Sequence, residues 1–146
     1  MQVASQLKLF ELGDEILPGI TALGNGSWHS PGHAIYKIAA NSGPDLYYLG
    51  DTVLVETIGV ENPYFLSLFD TDRLGGPAGR VALLDYLADR AAYVIFGHNT
   101  FPATARVVHD GLHFRLLKRV VESEGGVQVT CPAHARGGTA YGGGMD

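Results

Sequence analysis

The chain has a single cysteine, Cys131, in 146 residues. That excludes an internal disulfide framework and is too little for a cysteine-rich zinc module. No apolar run approaches the ~20 residues of a membrane span. Basic runs are missing as well. Ten Lys and Arg are scattered against fifteen Asp and Glu, giving a formal charge of −5. Binding to nucleic acid through bulk electrostatics is therefore not expected. Met1-Gln2-Val3-Ala4-Ser5-Gln6 lacks a basic segment followed by an apolar one, so a cytoplasmic location is the expectation as the sequence stands, or a secreted one if a leader precedes it. Ser27 and Ser30 sit in no G-x-S-x-G context, which argues against a serine hydrolase. Gly24-Asn25-Gly26 is not followed by Lys-Ser/Thr, so it is no phosphate loop. There is no repeat of solenoid period.

What remains is ordinary globular material. A hydrophobic fraction of 46% against 17% charged suits one domain with a real core. Residues 1–124 read as that domain. Residues 125–146 are Gly-rich, lose periodicity and read as a flexible tail. Leu7 to Leu12 alternates apolar and polar and predicts a strand, with Gly13-Asp14 as its turn. Ile16 to Leu23 predicts a second, with Pro18 at a bulge or edge. Ala34 to Ala40 and Leu46 to Leu49 predict two strands joined by the Asn41–Asp45 turn. Residues 52–78 predict a long irregular excursion with one short helix. Gly79 to Ala92 predicts a helix burying Val81, Leu84, Leu87, Ala88 and Ala91, with Arg80, Asp85, Asp89 and Arg90 on the opposite, polar face. Tyr93 to Phe96 predicts a buried strand. Thr104–His109 and Leu112–Leu117 predict a hairpin turned at Asp110-Gly111, and Lys118 to Glu122 the start of a last helix. The fold class is α/β.

Chemistry concentrates where these runs end. Trp28-His29-Ser30-Pro31-Gly32-His33 precedes a strand, Gly50-Asp51 follows one, and Phe96-Gly97-His98 follows another. Pro31-Gly32 makes a helix improbable between the two histidines, so they sit on a turn. Gly32 permits a bend that aims His33 from the strand's start into the crevice at the sheet end, as a metal ligand or a general base. Taken alone, two loop histidines are more often loop caps. Asp51 alone more often caps a turn, although a carboxylate can bridge two metals with its two oxygens. His98 repeats the strand-Gly-ligand geometry. Three strand-end ligand types in one sequence are hard to attribute to chance. Trp28 could line a substrate pocket or simply pack. Tyr47 and Tyr48 alternate across a strand, one to the core and one to the crevice. Cys131 reads as inert.

The order of these pieces resembles the C-terminal half of the metallo-β-lactamase-fold hydrolases. Glu15-Ile16-Leu17-Pro18-Gly19-Ile20 is similar to that family's E-hydrophobic-PGI strand. His29-Ser30-Pro31-Gly32-His33 is similar to its H-T/S-P-G-H turn, and Tyr47-Tyr48-Leu49-Gly50-Asp51 to its strand ending in Gly-Asp. Phe69-Asp70-Thr71-Asp72 resembles the Asp-rich segment before its penultimate helix. Phe96-Gly97-His98, with Phe101-Pro102 and the hairpin beyond, resembles its terminal His block. The combination is specific, whereas any one piece is weak.

The resemblance implies half of an αββα sandwich, a mixed sheet with flanking helices. It implies a binuclear zinc hydrolase of small-molecule substrates. It makes His33 a ligand of the first metal, Asp51 the bridge and His98 a ligand of the second, with His29 in support of the loop. The family's H-x-H-x-D-H motif is absent from this sequence. Two ligands per ion with a shared carboxylate would hold zinc weakly, so the chain is expected to be inactive alone. The alternative is a non-catalytic, oligomer-forming domain whose ligands are remnants. Half a sandwich also leaves a sheet face to cover. About half of Ile35, Tyr36, Ile38, Leu46, Val94 and Phe96 would point there, towards a second copy of the chain or a complementing N-terminal half.

Overall fold

The structure is a computed structural model and describes residues 7–24, 26–99 and 103–118. One mixed sheet holds seven strands in chain order: β1 (Glu15–Leu17), β2 (Ile20–Leu23), β3 (Ile35–Ile38), β4 (Leu46–Tyr48), β5 (Tyr93–Ile95), β6 (Ala105–Asp110) and β7 (His113–Lys118). Neighbours are antiparallel except β4 and β5, which run parallel. A parallel pair needs a crossover. Residues 49–92 provide it, with a 3-10 turn at Gly50–Thr52, a π-helical turn at Glu56–Val60 and the helix α1 (Gly75–Asp89).

The core lies between the sheet and this crossover. Ile35, Tyr47, Val94, Ala105, Val107, Phe114 and Leu116 meet Val53, Val60, Leu83, Leu84 and Leu87 in one buried cluster. Alternation along each strand decides which side chains take part. Tyr47 is buried and meets Tyr86 of α1 with its hydroxyl 3.3 Å away, whereas Tyr48 is exposed on the other face beside Tyr36. Of the six strand residues named above, Ile35, Val94 and Phe96 are buried on the α1 side. Tyr36, Ile38 and Leu46 alternate with Ile35, Lys37 and Tyr47 and take the opposite face, where they are only partly buried.

Several expectations need correction. Leu7 to Leu12 is not a strand: Leu7, Leu9 and Leu12 are exposed and the segment finds no partner strand among the described residues. Gly13 and Asp14 bond directly to Ala22 instead, at 2.7 and 3.0 Å. Pro18-Gly19 does not interrupt one strand but turns β1 into β2, with Gly19 at φ +79°, a region a glycine enters without strain. The last hairpin turns one residue later than expected, at Gly111-Leu112, because Asp110 pairs with His113. The helix begins four residues earlier than Gly79 and ends at Asp89. Its buried positions are Gly76, Arg80, Leu83, Leu84 and Leu87, a regular i, i+4, i+7, i+8, i+11 stripe. Arg80 therefore belongs to the inner face and not the polar one. The helix expected from Lys118, the tail at 125–146 and Cys131 lie outside the described residues.

Candidate metal centre

Asp51 is the hub of the site. It sits in the 3-10 turn that follows β4, and its backbone is held from both sides. Its N–H donates to Nε2 of His33 at 3.0 Å. The carbonyl of the next residue, Thr52, accepts from Nε of Arg80 at 3.2 Å. Gly50 makes this turn possible, with φ +54° and no side chain. A Cβ there would stand 2.5 Å from Nε2 of His33. A Cβ at Gly26 would stand 2.6 Å from Nδ1 of the same ring. The His33 imidazole thus lies in a slot between two glycines. Burial, and then the neighbouring His29, lower its pKa from the ordinary histidine value, against a smaller opposing effect of Asp51.

The Asp51 carboxylate projects between two other imidazoles. Oδ2 lies 3.7 Å from Nε2 of His29, and Oδ1 lies 3.3 Å from Nε2 of His98. The structure therefore brings His29, His33, Asp51 and His98 together, but it gives the two loop histidines different tasks. The ring of His33 is turned to backbone. The ring of His29 is the one beside the carboxylate. Behind His29, Nδ1 meets Oδ1 of Asp70 at 3.1 Å, and Oδ2 of Asp70 accepts from Nη2 of Arg80 at 2.8 Å. Both partners of that ion pair are almost completely buried.

Trp28 does not face this crevice. Its indole lies against the first turns of α1, where a Cβ at Gly79 would stand 2.6 Å from Cε3. Gly76 and Gly79, one turn of the helix apart, thus leave a notch for the ring. Trp28 also borders an open cavity with Gly24, Ala82, Leu83 and Tyr86, which none of His29, Asp51 and His98 lines. Its backbone carbonyl accepts from the N–H of Asp72 at 2.9 Å and from the Thr71 hydroxyl at 3.2 Å.

Sequence reasoning missed Asp70 as a partner of His29 and placed Arg80 on the wrong face. One available signal was an arginine at the i+4 position from Gly76 on a small-residue helix face. The other was Asp70 inside the Asp-rich segment.

The donor set fits part of a metal centre. One carboxylate serving two imidazoles through separate oxygens is the layout of a bridging ligand. Each edge has two protein donors. Among the described residues no group of three or more His, Cys, Asp or Glu is placed to hold one ion, whereas a protein zinc site takes three or four.

No protein-family model matches the chain, and no curated protein matches it in sequence. Its fold has clear counterparts. The hydrolase AbOPH in the beta lactamase superfamily superposes with TM-score 0.70 at 20% identity, over 78% of this chain and 38% of its own. AidC, a dizinc quorum-quenching lactonase, gives 0.73 at 21%, over 83% and 40%. A probable metal-dependent hydrolase from Staphylococcus aureus gives 0.64 at 22%, over 82% and 42%. The chain spans about two fifths of the length of each. The His29–Asp51–His98 group is carried on the metallo-β-lactamase fold, of which this chain provides a part.

Proposed function

We propose that the chain is the C-terminal half of a metal-dependent hydrolase of the metallo-β-lactamase superfamily and carries part of a binuclear zinc site. The carrying observation is the Asp51 carboxylate, with one oxygen turned to His29 and the other to His98. In this reading His29 and Asp51 stand at one metal position, and Asp51 and His98 at the other. His33 does not ligate. It fixes the peptide of the bridging residue, because its Nε2 already accepts the Asp51 N–H. The chemistry a zinc pair supplies when bound is Lewis-acid polarisation and activation of water for hydrolysis.

The residues of this chain contribute orientation: Gly50 and His33 set the carboxylate, and Asp70 sets the His29 ring. The remaining ligands come from another polypeptide segment of the H-x-H-x-D-H type. That segment belongs to the layer that covers the outer sheet face, where Tyr48 and Leu117 are exposed. Without it the half-site is inactive. The substrate is a small molecule with a hydrolysable bond.

Zinc titration of the chain with and without a complementing polypeptide carrying H-x-H-x-D-H tests the proposal. Expected are weak zinc binding alone, and tight binding with hydrolytic activity in the mixture, both lost in D51N. A mixture that gains neither binding nor activity overturns it. A second reading, a non-catalytic oligomer-forming domain, draws on the partly buried outer sheet face and the two-donor edges. It predicts a homo-oligomer by light scattering and no zinc binding under any condition.

A further inference from the structure

We propose that Asp70 and Arg80 are positioning residues that fix the proton of the His29 imidazole on Nδ1 and leave Nε2 as a lone pair turned to Asp51. The inference rests on the reading of His29 as a donor residue for its purpose, but the proton arrangement itself belongs to the metal-free protein.

The argument begins with what each group can donate. A carboxylate paired with a guanidinium only accepts. Asp70 spends Oδ2 on Nη2 of Arg80 at 2.8 Å and turns Oδ1 to Nδ1 of His29 at 3.1 Å. The nitrogen facing Oδ1 must carry the proton for that contact to be a hydrogen bond. In a neutral ring the other nitrogen is then the acceptor. That nitrogen, Nε2, stands 3.7 Å from Oδ2 of Asp51, too far for a hydrogen bond that would compete for the proton.

The Arg80 fork leaves Asp70 little freedom. Its Nη1 donates to the carbonyls of Pro63 and Phe65, both at 2.9 Å, and its Nε to that of Thr52 at 3.2 Å. One planar guanidinium therefore satisfies four acceptors from three chain segments. A lysine ammonium at the same place could not reproduce this geometry. Thr52 follows Asp51, so the group that orients the His29 partner also anchors the residue next in the chain to the carboxylate that His29 faces.

The backbone of His29 is tied to the same segment. Its carbonyl accepts from the N–H of Thr71 at 3.0 Å, next to Asp70 in the chain. Imidazole and carboxylate therefore move together. The exposed His98 ring has no such arrangement among the described residues, its one polar contact being Asp51.

Ring-nitrogen NMR on metal-free, histidine-labelled protein, above the titration range of histidine, tests the proposal. The His29 signal is assigned by its disappearance in H29Q. The wild type is expected to show a single Nδ1–H tautomer for His29. In D70N, whose carboxamide can also donate, that preference is expected to be lost while the backbone spectrum stays dispersed. A wild-type His29 in the Nε2–H form or averaged between tautomers overturns the proposal, and so does a folded D70N that keeps the Nδ1–H form. If D70N does not fold, the wild-type spectrum decides alone. A merely structural ion pair would be needed for stability and would leave the His29 tautomers mixed. The outcome is separable from that of the proposed function. An Nδ1–H tautomer in a chain that never binds zinc keeps this inference and defeats the ligand reading, and zinc binding with mixed tautomers does the reverse.

Discussion

The two sides of Asp51 are built differently. On one side His29 is 15% exposed, with the buried Asp70 and Arg80 behind it and its backbone stitched to Thr71. On the other side His98 is 58% exposed and, among the described residues, its one polar contact is the carboxylate. The first side is set before any ligand arrives. The second is open. If the group works as proposed, the open edge is the one that would admit a partner or a substrate, whereas the edge that sets the geometry is fixed by buried hydrogen bonds.

The largest expected break in this contrast is on the fixed side. Removing one partner of a buried ion pair leaves the other charge uncompensated and costs about 3–5 kcal/mol. Arg80→Met also strips the carbonyls of Thr52, Pro63 and Phe65 of their donors. The variant is expected to lose most of its stability, read as the urea midpoint. A midpoint within error of the wild type would show that the fixed side is not held by this pair.

Gly50→Ala acts next. The new methyl must enter a left-handed backbone at φ +54° and meet the His33 ring. Left-handed backbone costs a residue other than glycine roughly 1–2 kcal/mol, and displacing the ring adds to it. A loss of about 2 kcal/mol or more in denaturant unfolding is expected. G26A approaches the other edge of the same ring without the left-handed backbone cost and should therefore lose less than Gly50→Ala.

The His33 ring makes a smaller, pH-dependent contribution. Its pKa is lowered in the fold, first by burial and then by His29. The unfolded chain therefore takes up the proton more readily than the folded one. The contribution is full above the unfolded value of 6.5 and is lost as pH falls below it towards the depressed folded value. Urea midpoints measured between about pH 7.5 and 5 should decline on acidification, and H33Q should flatten that decline. An unchanged slope in H33Q would place the titration elsewhere.

Most of this arrangement could be read from residues at strand ends. His33, Asp51 and His98 stand out because each closes or opens an apolar run, with His29 beside them as loop support, and the fold gathers the ends of adjacent strands. The mixed sheet and the side-chain alternation of β3 to β5 follow from the same runs. The division of labour between His29 and His33 was not legible. Both lie in one turn, and only the glycine slot at Gly26 and Gly50 shows which ring is turned inward. Arg80 misled because a charged residue on an amphipathic helix normally faces water. Its burial depends on acceptors at residues 52, 63, 65 and 70, whose convergence is tertiary. Leu7 to Leu12 misled for the opposite reason: alternation is present, but a strand needs a neighbour to pair with.

The smallest expected effect on stability is the sharpest test of the contrast. His98→Ala removes an exposed ring whose one polar contact among the described residues is a half-exposed carboxylate 3.3 Å away. Such surface contacts are worth little, and changes there usually stay within about 0.5 kcal/mol. Unfolding of H98A should therefore match the wild type. If His98 is the second-edge donor, the same variant loses zinc affinity in the complemented protein while its fold is untouched. H29A is expected to lose both, since removing the ring also leaves Oδ1 of Asp70 without its partner in a buried place. Equal stability losses in the two alanine variants would erase the difference between a held side and an open one. A stable H98A that still binds zinc as the wild type does would leave Asp51 and His29 as the whole of this chain's share of the site.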